Sequence, residues 1–173
     1  MAAIDPDLSL VRRLKAKGRY DEALAQLDAW LSGDPDNPIL AYEMAATLDN
    51  QGRELEAIPY YQKALLGELD RLHRVDAIVG LGSSLRVVGR IRESFSVLAA
   101  GRQEFPRNQA LQVFYALTLE RMGNFGDAVS ELLDVIAASA CEESLDLYRT
   151  AIRHCRDHRY DGPAPAKSEP GPQ

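Results

Sequence analysis

Four groups of residues in this 173-residue sequence could support chemistry through their side chains or spacing. His154 and His158 are four residues apart, so on a helix both imidazoles would face one side and could bind a metal ion. Two ligands do not complete a metal site, and no Glu follows His154 as it would in a zinc-protease helix. We therefore interpret the pair as surface residues and expect no metal.

Two further groups lie next to each other in the middle of the chain. Gly80 and Gly82 resemble part of a nucleotide-binding glycine motif, but Leu85 stands where its third glycine would be. Ser83 and Ser84 follow directly, without a nearby His to act as their base. The sequence therefore predicts neither a catalytic group nor a cofactor here, and an enzyme is not expected.

The fourth group consists of the two cysteines, Cys141 and Cys155, which do not form a C-x-x-C motif. A cysteine reacts as the thiolate, and the carboxylates of Glu142 and Glu143 beside Cys141 disfavour that form. Two cysteines in this arrangement are typical of a reducing compartment. We expect a cytoplasmic protein.

Composition argues against several classes of function. Hydrophobic residues make up 46% and charged residues 27% of the chain, as in globular proteins. The formal net charge of -6, without a long basic run, argues against general nucleic-acid binding, which needs clustered Lys and Arg. No stretch approaches the ~18 apolar residues of a membrane span, and the acidic residues 1–7 do not resemble a secretory signal. Neither nucleic acid nor a membrane is expected as a partner.

The elements that position all of these residues repeat along the chain. Glycines recur at spacings of 34, 37 and 34; each is followed by a small residue and then a large one, and preceded by two apolar residues. The glycines are Gly18, Gly52, Gly89 and Gly123, the small residues are Ala23, Ala57, Ser94 and Ala128, and the large residues are Leu27, Tyr61, Leu98 and Leu132. The two apolar residues before each glycine are Leu10 and Leu14, Met44 and Leu48, Leu81 and Leu85, and Tyr115 and Leu119. Each unit therefore predicts a helix, a turn with a left-handed glycine, and a second helix that crosses the first closely at the small residue.

This pattern resembles the tetratricopeptide-repeat (TPR) family, whose consensus runs W-x2-L-G-x2-Y, then A-x3-F, then P. Residues 52–65 of the second unit are close to that consensus. The first unit departs from it with Asp7 at the aromatic position and Trp30 at a small one, and the fourth has Ala140 in place of the closing proline. The resemblance, which extends to small stand-alone bacterial TPR proteins, implies an all-α, right-handed α-solenoid of four helix-turn-helix repeats plus a C-terminal capping helix.

The repeat boundaries set the expected domain organisation. We predict a TPR domain over residues 4–160 and a proline-rich disordered tail over 161–173. Within the domain, the predicted repeats are about 4–37, 38–71, 75–108 and 109–142, and the capping helix is about 142–158. The apolar stripe of that last helix consists of Leu145, Tyr148, Ile152 and Cys155. Three extra residues separate units two and three; they either lengthen the second helix of unit two or form a longer loop.

In TPR proteins the first helix of each unit lines the concave surface, so the resemblance implies a binding groove there. The register places the following residues in that groove: Arg12, Tyr42, Asp49, Val79, Ser83, Arg86, Val113, Leu117 and Glu120. The groove would have an apolar floor and a few charges of both signs. The alternative is that some of these residues only pack between neighbouring units.

Fold resemblance implies an adaptor or scaffold that binds a peptide or helix of another protein. Some TPR proteins clamp a C-terminal carboxylate with Lys, Asn and Arg residues, but the matching positions here hold Leu8, Arg12, Glu43, Asp76 and Gly80. We therefore do not expect that ligand. Two alternatives stay open: a cytoplasmic chaperone for a secreted substrate, and a scaffold that assembles as a homo-oligomer.

Overall fold

The computed structural model describes residues 6–138, and in this range all regular secondary structure is helical. The helices, in chain order, are α1 (Leu8–Ala16), α2 (Tyr20–Gly33), α3 (Pro38–Asp49), α4 (Glu54–Leu66), α5 (Arg71–Val87), α6 (Ile91–Glu104), α7 (Gln109–Arg121) and α8 (Phe125–Ala138). Each helix packs against the next, and the first helices of neighbouring units also contact each other, α3 with α5 and α5 with α7. The four helix pairs thus form the predicted α-solenoid. The predicted capping helix and tail lie outside the described residues.

The four repeat glycines form the turns between paired helices. Gly18, Gly52, Gly89 and Gly123 have φ of 69°, 71°, 82° and 84°. In this left-handed region a side chain with a Cβ costs roughly 1–2 kcal/mol. No other residue in the described range has a positive φ. The prediction of a left-handed glycine turn in each unit is confirmed.

The first helix of every unit begins after an Asp or Asn that caps it. The side chains of Asp7, Asn37, Asp70 and Asn108 accept hydrogen bonds from backbone N–H groups of the first turn. These caps satisfy amide groups that would otherwise have no partner, and each contributes about 1 kcal/mol. The caps fix where the groove-lining helices start.

The three extra residues between units two and three extend α5 at its N-terminus. Helix α5 has 17 residues, compared with 12 in α3 and 13 in α7. Helix α4 ends at Leu66, and the connection 67–70 is no longer than the connection 34–37. Neither of the two predicted alternatives is therefore observed. The Asp70 cap starts α5 early, because its carboxylate accepts a hydrogen bond from the His73 backbone N–H at 2.9 Å.

The small residues allow the paired helices to cross closely. In unit three, Ser94 is fully buried and its hydroxyl donates to the backbone carbonyl of Gly82 at 2.7 Å. A Cβ on Gly82 would lie 2.5–2.8 Å from three carbons of the Leu98 side chain. Leu98 is itself 0% exposed and has no room to move away. The absence of a side chain at Gly82 is therefore a packing requirement.

Replacing Gly82 with Leu should destabilise the protein by about 1–3 kcal/mol, because the new side chain overpacks the contact with Leu98. The matched control is Gly126→Leu, since a Cβ at this helical glycine would meet nothing within 4 Å. We expect the control to be neutral or slightly stabilising, because Leu favours the helix more than Gly does. Urea unfolding of both variants measures the difference. Equal free energies of unfolding would contradict the close crossing.

Candidate functional site

A pocket of about 320 Å³ opens on the face formed by the first helices of the repeats. Its lining includes four of the nine predicted groove residues, Tyr42, Asp49, Val79 and Ser83. Helices α1, α3, α5 and α7 all contribute to it, because the solenoid stacks these helices side by side. The remaining lining residues are Lys15, Ala46, Asn50, Tyr61, Asp76, Gly80 and Phe114.

Aromatic rings form one wall of this pocket, which we call the groove pocket. The ring of Tyr42 lies 6.5 Å from that of Tyr61 and meets the imidazole of His73 edge-on at 5.2 Å. Tyr61 belongs to a second helix, and it reaches the pocket because Gly80 has no side chain where its ring lies. His73 is thus packed against the groove wall, in the added first turn of α5. The extra turn of α5 therefore helps to hold Tyr42 in place.

Two carboxylates line the same pocket. Asp49 accepts hydrogen bonds from the Tyr61 hydroxyl at 3.1 Å and from the Ser84 hydroxyl at 3.3 Å. Asp76 lies 3.5 Å from the hydroxyl of Tyr42, a long hydrogen bond. Burial, followed by the negative charges of Asp76 and Glu43, raises the pKa of the Tyr42 hydroxyl, so Tyr42 stays neutral.

Burial also raises the pKa of the Asp49 carboxyl to about 6, and the charge of Glu54 adds to this effect. The hydrogen bonds from Tyr61 and Ser84 act in the opposite direction but do not cancel it. Among the described residues no cation forms an ion pair with Asp49. At neutral pH the protein therefore holds a desolvated negative charge at this position, which costs stability.

Replacing Asp49 with Asn should stabilise the protein at pH 7 by about 2 kcal/mol, because it removes that charge and keeps the side-chain shape. The folded-state pKa of about 6 lies above the ordinary carboxyl value of 3.8. The folded state therefore keeps this proton to higher pH, and the wild-type protein loses stability as pH rises from about 4 to about 6. Urea unfolding across this interval should show that loss in the wild type and in Asp28→Asn, an exposed control on α2. If the free energy of unfolding changes with pH in the same way for Asp49→Asn and for the wild type, the pKa of Asp49 is not raised.

A buried ion pair lies beside the groove pocket. Glu43 is 3% exposed, and its carboxylate lies 2.9 Å from the Lys15 ammonium and 3.9 Å from the Arg12 guanidinium. Lys15 also lines the pocket, and its ammonium is the nearer of the two cations that share the Glu43 carboxylate. Arg12, one of the predicted groove residues, is mostly exposed and pairs with the same carboxylate.

The other predicted groove residues lie elsewhere on these helices. Val113 is 4% exposed, and Val79 is 3% exposed although it lines the pocket. Val79 and Val113 are thus as buried as the alternative interpretation, packing between neighbouring units, predicts. Arg86, Leu117 and Glu120 are partly buried and are outside the lining of the groove pocket.

Sequence reasoning missed Tyr61 and Phe114 as pocket residues. It assigned Tyr61 only to the large packing position that Leu27 and Leu98 occupy in other units. The phenol was a usable signal, because a buried Tyr needs a partner for its hydroxyl and here finds Asp49. No comparable signal marks Phe114.

A second pocket, of about 350 Å³, lies between α2, α3 and α4 on the other side of the repeats. Three of its charged side chains already have partners: Arg53 pairs with Glu56 at 2.7 Å, and Asp21 accepts a hydrogen bond from Gln51 at 3.2 Å. In the groove pocket, by contrast, the partners of Asp49 among residues 6–138 are hydroxyl groups, so this pocket is the better candidate site.

Within residues 6–138, no group of three or more His, Cys, Asp or Glu side chains is arranged to bind a metal ion. None of the described helices is both long and apolar enough to cross a membrane. Ser84 is fully buried and donates to Asp49, so it is not available as a nucleophile. The two histidines near the C-terminus and both cysteines lie outside the described residues.

Comparison with known proteins places this geometry in a family. Residues 38–157 match the family model described as Tetratrico peptide repeat. Similar solved structures include MamA MSR-1, at 19% identity over 76% of this chain and 75% of that chain, with a TM-score of 0.66. YrrB, described as a TPR protein with an unusual peptide-binding site, is 21% identical over 82% of this chain and 71% of that chain, also with a TM-score of 0.66. No curated protein sequence matches this chain.

Proposed function

This chain belongs to the tetratrico peptide repeat family, and we propose that it is a protein-interaction adaptor that binds a segment of a partner protein across its first helices. The observation that supports the proposal is the groove pocket, which opens on the face formed by the first helices, where the family resemblance predicts a groove. Its walls combine aromatic rings with a few polar groups, the usual composition of a ligand pocket. YrrB, which shares the fold, is described as having a peptide-binding site.

The shape of the pocket favours an extended or helical segment over a small metabolite. The first helices α1, α3, α5 and α7 line it together, so a bound chain could continue along the neighbouring units. Tyr42 offers a large, rigid anchor surface, and aromatic residues of this kind are frequent binding hot spots. The chaperone alternative uses the same groove and differs only in the identity of the partner.

Selection of a random peptide library, displayed on phage, against the full-length protein tests the proposal. We expect peptides that bind the wild type and lose at least about tenfold in affinity for Ser83→Trp, because the indole fills the groove pocket. Ser96→Trp, on the exposed side of α6, is the matched control and should bind like the wild type. If no peptide is selected, or if Ser83→Trp binds normally while folded, the proposed function is wrong.

Self-assembly is a second candidate, favoured by one observation. Phe125, Val129 and Leu133 follow one another at four-residue spacing on α8 and are 59%, 55% and 58% exposed. Apolar patches of this kind often mark contact surfaces. Light scattering over a range of protein concentrations distinguishes a concentration-dependent oligomer from a monomeric adaptor.

A further inference from the structure

We propose that the second pocket, between α2, α3 and α4, is a separate binding site for a short protein segment that carries an apolar side chain flanked by Lys or Arg. We call it the outer pocket. It has no lining residue in common with the groove pocket. The proposal therefore adds a second site to the protein and does not depend on the first.

The outer pocket has an apolar base. Met44 and Leu48 of α3 form its floor and are each 4% exposed. Leu24 and Ala25 of α2 line one wall, and the partly buried ring of Tyr60 of α4 lines the other. An apolar side chain of a ligand would lose water against these residues, which favours binding.

The corresponding place between units three and four is filled by two aromatic rings. Phe95 of α6 and Tyr115 of α7 lie there with ring centroids 5.2 Å apart. Leu24, like Phe95, comes six residues after a repeat glycine, and Met44, like Tyr115, comes eight before one. Leu and Met are smaller than Phe and Tyr, so the space between α2 and α3 is left for a side chain from outside.

The charges around the outer pocket indicate the chemistry of its ligand. Among the described residues that line it, Asp21, Asp28 and Glu56 are acidic and Arg53 alone is basic. Arg53 pairs with Glu56 at 2.7 Å and also feels the charge of Asp21. However its single positive charge is shared, the lining keeps an excess of two negative charges. A basic segment is therefore attracted and an acidic one repelled.

Neighbouring basic residues do not compensate Asp28. Helix α2 contains no Lys or Arg, and Arg19, which precedes it, pairs with Glu22. Lys63 of α4 pairs with Asp36 at 3.3 Å. Among residues 6–138 no cation forms an ion pair with Asp28. A Lys or Arg of a ligand can thus approach this carboxylate without breaking an ion pair.

The dimensions of the outer pocket suit a short segment. Its lining residues on α2 are Asp21, Leu24, Ala25 and Asp28, at the spacing of one helical face. They extend over about 10 Å along the helix axis. The volume of about 350 Å³ is near the lower end of the roughly 300–1,000 Å³ of ligand pockets. One apolar side chain fits inside, and its basic neighbours reach the carboxylates at the rim.

Helix α3 gives the two sites their relation. Tyr42, Ala46 and Asp49 face the groove pocket, whereas Met44 and Leu48, on the opposite side of the same helix, face the outer pocket. Two segments can therefore be bound at the same time, one on each side of α3. A protein with both sites would connect two partners.

The peptide selection tests this proposal when it is repeated on full-length Ser83→Trp, in which the groove pocket is filled. We expect peptides that bind this variant and the wild type equally and that combine an apolar residue with Lys or Arg. Ala25→Trp should weaken their binding at least about tenfold, because its indole occupies the outer pocket. Ala100→Trp, at an exposed position on α6, is the matched control and should have no effect.

The role of the carboxylates has its own measurement. In a synthetic peptide of selected sequence, replacing Lys or Arg with Gln should weaken binding to the wild type about fivefold, as expected for ion pairs at an exposed rim. The same replacement should change binding to the double variant Asp21→Asn/Asp28→Asn by less than about twofold. An amide oxygen at position 21 still accepts the hydrogen bond from Gln51, so the double variant should remain folded.

The outcomes separate this proposal from the proposed function. If the selection on Ser83→Trp yields no peptide, or if its peptides bind folded Ala25→Trp normally, the outer pocket is not a binding site. Peptides from the wild-type selection that Ser83→Trp blocks would still support the proposed function. If the peptides depend on the outer pocket but lack Lys and Arg, or tolerate the Gln replacement, the assigned chemistry of the ligand is wrong.

Discussion

A chain that ends at residue 140 is expected to unfold about 10 °C below the full-length protein and to aggregate, because it lacks the predicted capping helix. Burying the apolar stripe of that helix, which includes Leu145, Tyr148 and Ile152, should contribute about 3 kcal/mol after the cost of ordering it. Thermal unfolding followed by circular dichroism, together with light scattering, measures both effects.

In unit three, the first helix of the next unit covers part of the second helix, as the predicted capping helix would do for α8. The ring of Phe95 on α6 is partly buried and lies 5.2 Å from that of Tyr115 on the next first helix. The control for the truncation is a chain ending at residue 161, which removes only the predicted tail and should unfold at nearly the full-length temperature. Equal stability of the two truncated chains would show that residues 141–161 cover nothing.

Replacing Tyr42 with Ala should weaken the binding of a groove-selected peptide about thirtyfold, or about 2 kcal/mol. The ring lines the groove pocket and is held by its edge-on contact with His73, so its loss removes a rigid contact surface. Tyr42→Phe keeps the ring and loses only the long hydrogen bond to Asp76, so it should bind nearly as well as the wild type. Isothermal titration of each variant measures the affinities.

The outer-face control for Tyr42→Ala is Gln103→Ala, an exposed position on α6. If Tyr42→Ala and Gln103→Ala are both folded and bind the peptide equally, Tyr42 is not part of the binding surface.

The sequence by itself determined the repeat architecture. The four turn glycines have positive φ, as their spacing predicted, because a left-handed turn is a local requirement that few other residues meet. The small residues at the helix crossings are buried for an equally local reason: Ala23, Ala57 and Ser94 are 0% exposed. Apolar residues at four-residue spacing define the inner face of a helix wherever it packs. These rules act within a single unit, so the order of residues is sufficient to apply them.

Only the tertiary structure decided where the three extra residues lie and which side chains meet at the groove pocket. The longer helix α5 brings His73 against Tyr42, a residue of another helix. Tyr61 joins the pocket because Gly80, on a different helix, leaves room for its ring. The pKa of Asp49 depends on burial between α3, α4 and α5. Each of these features depends on distances between residues that are far apart in sequence, and a repeat pattern read along one chain contains no measure of such distances.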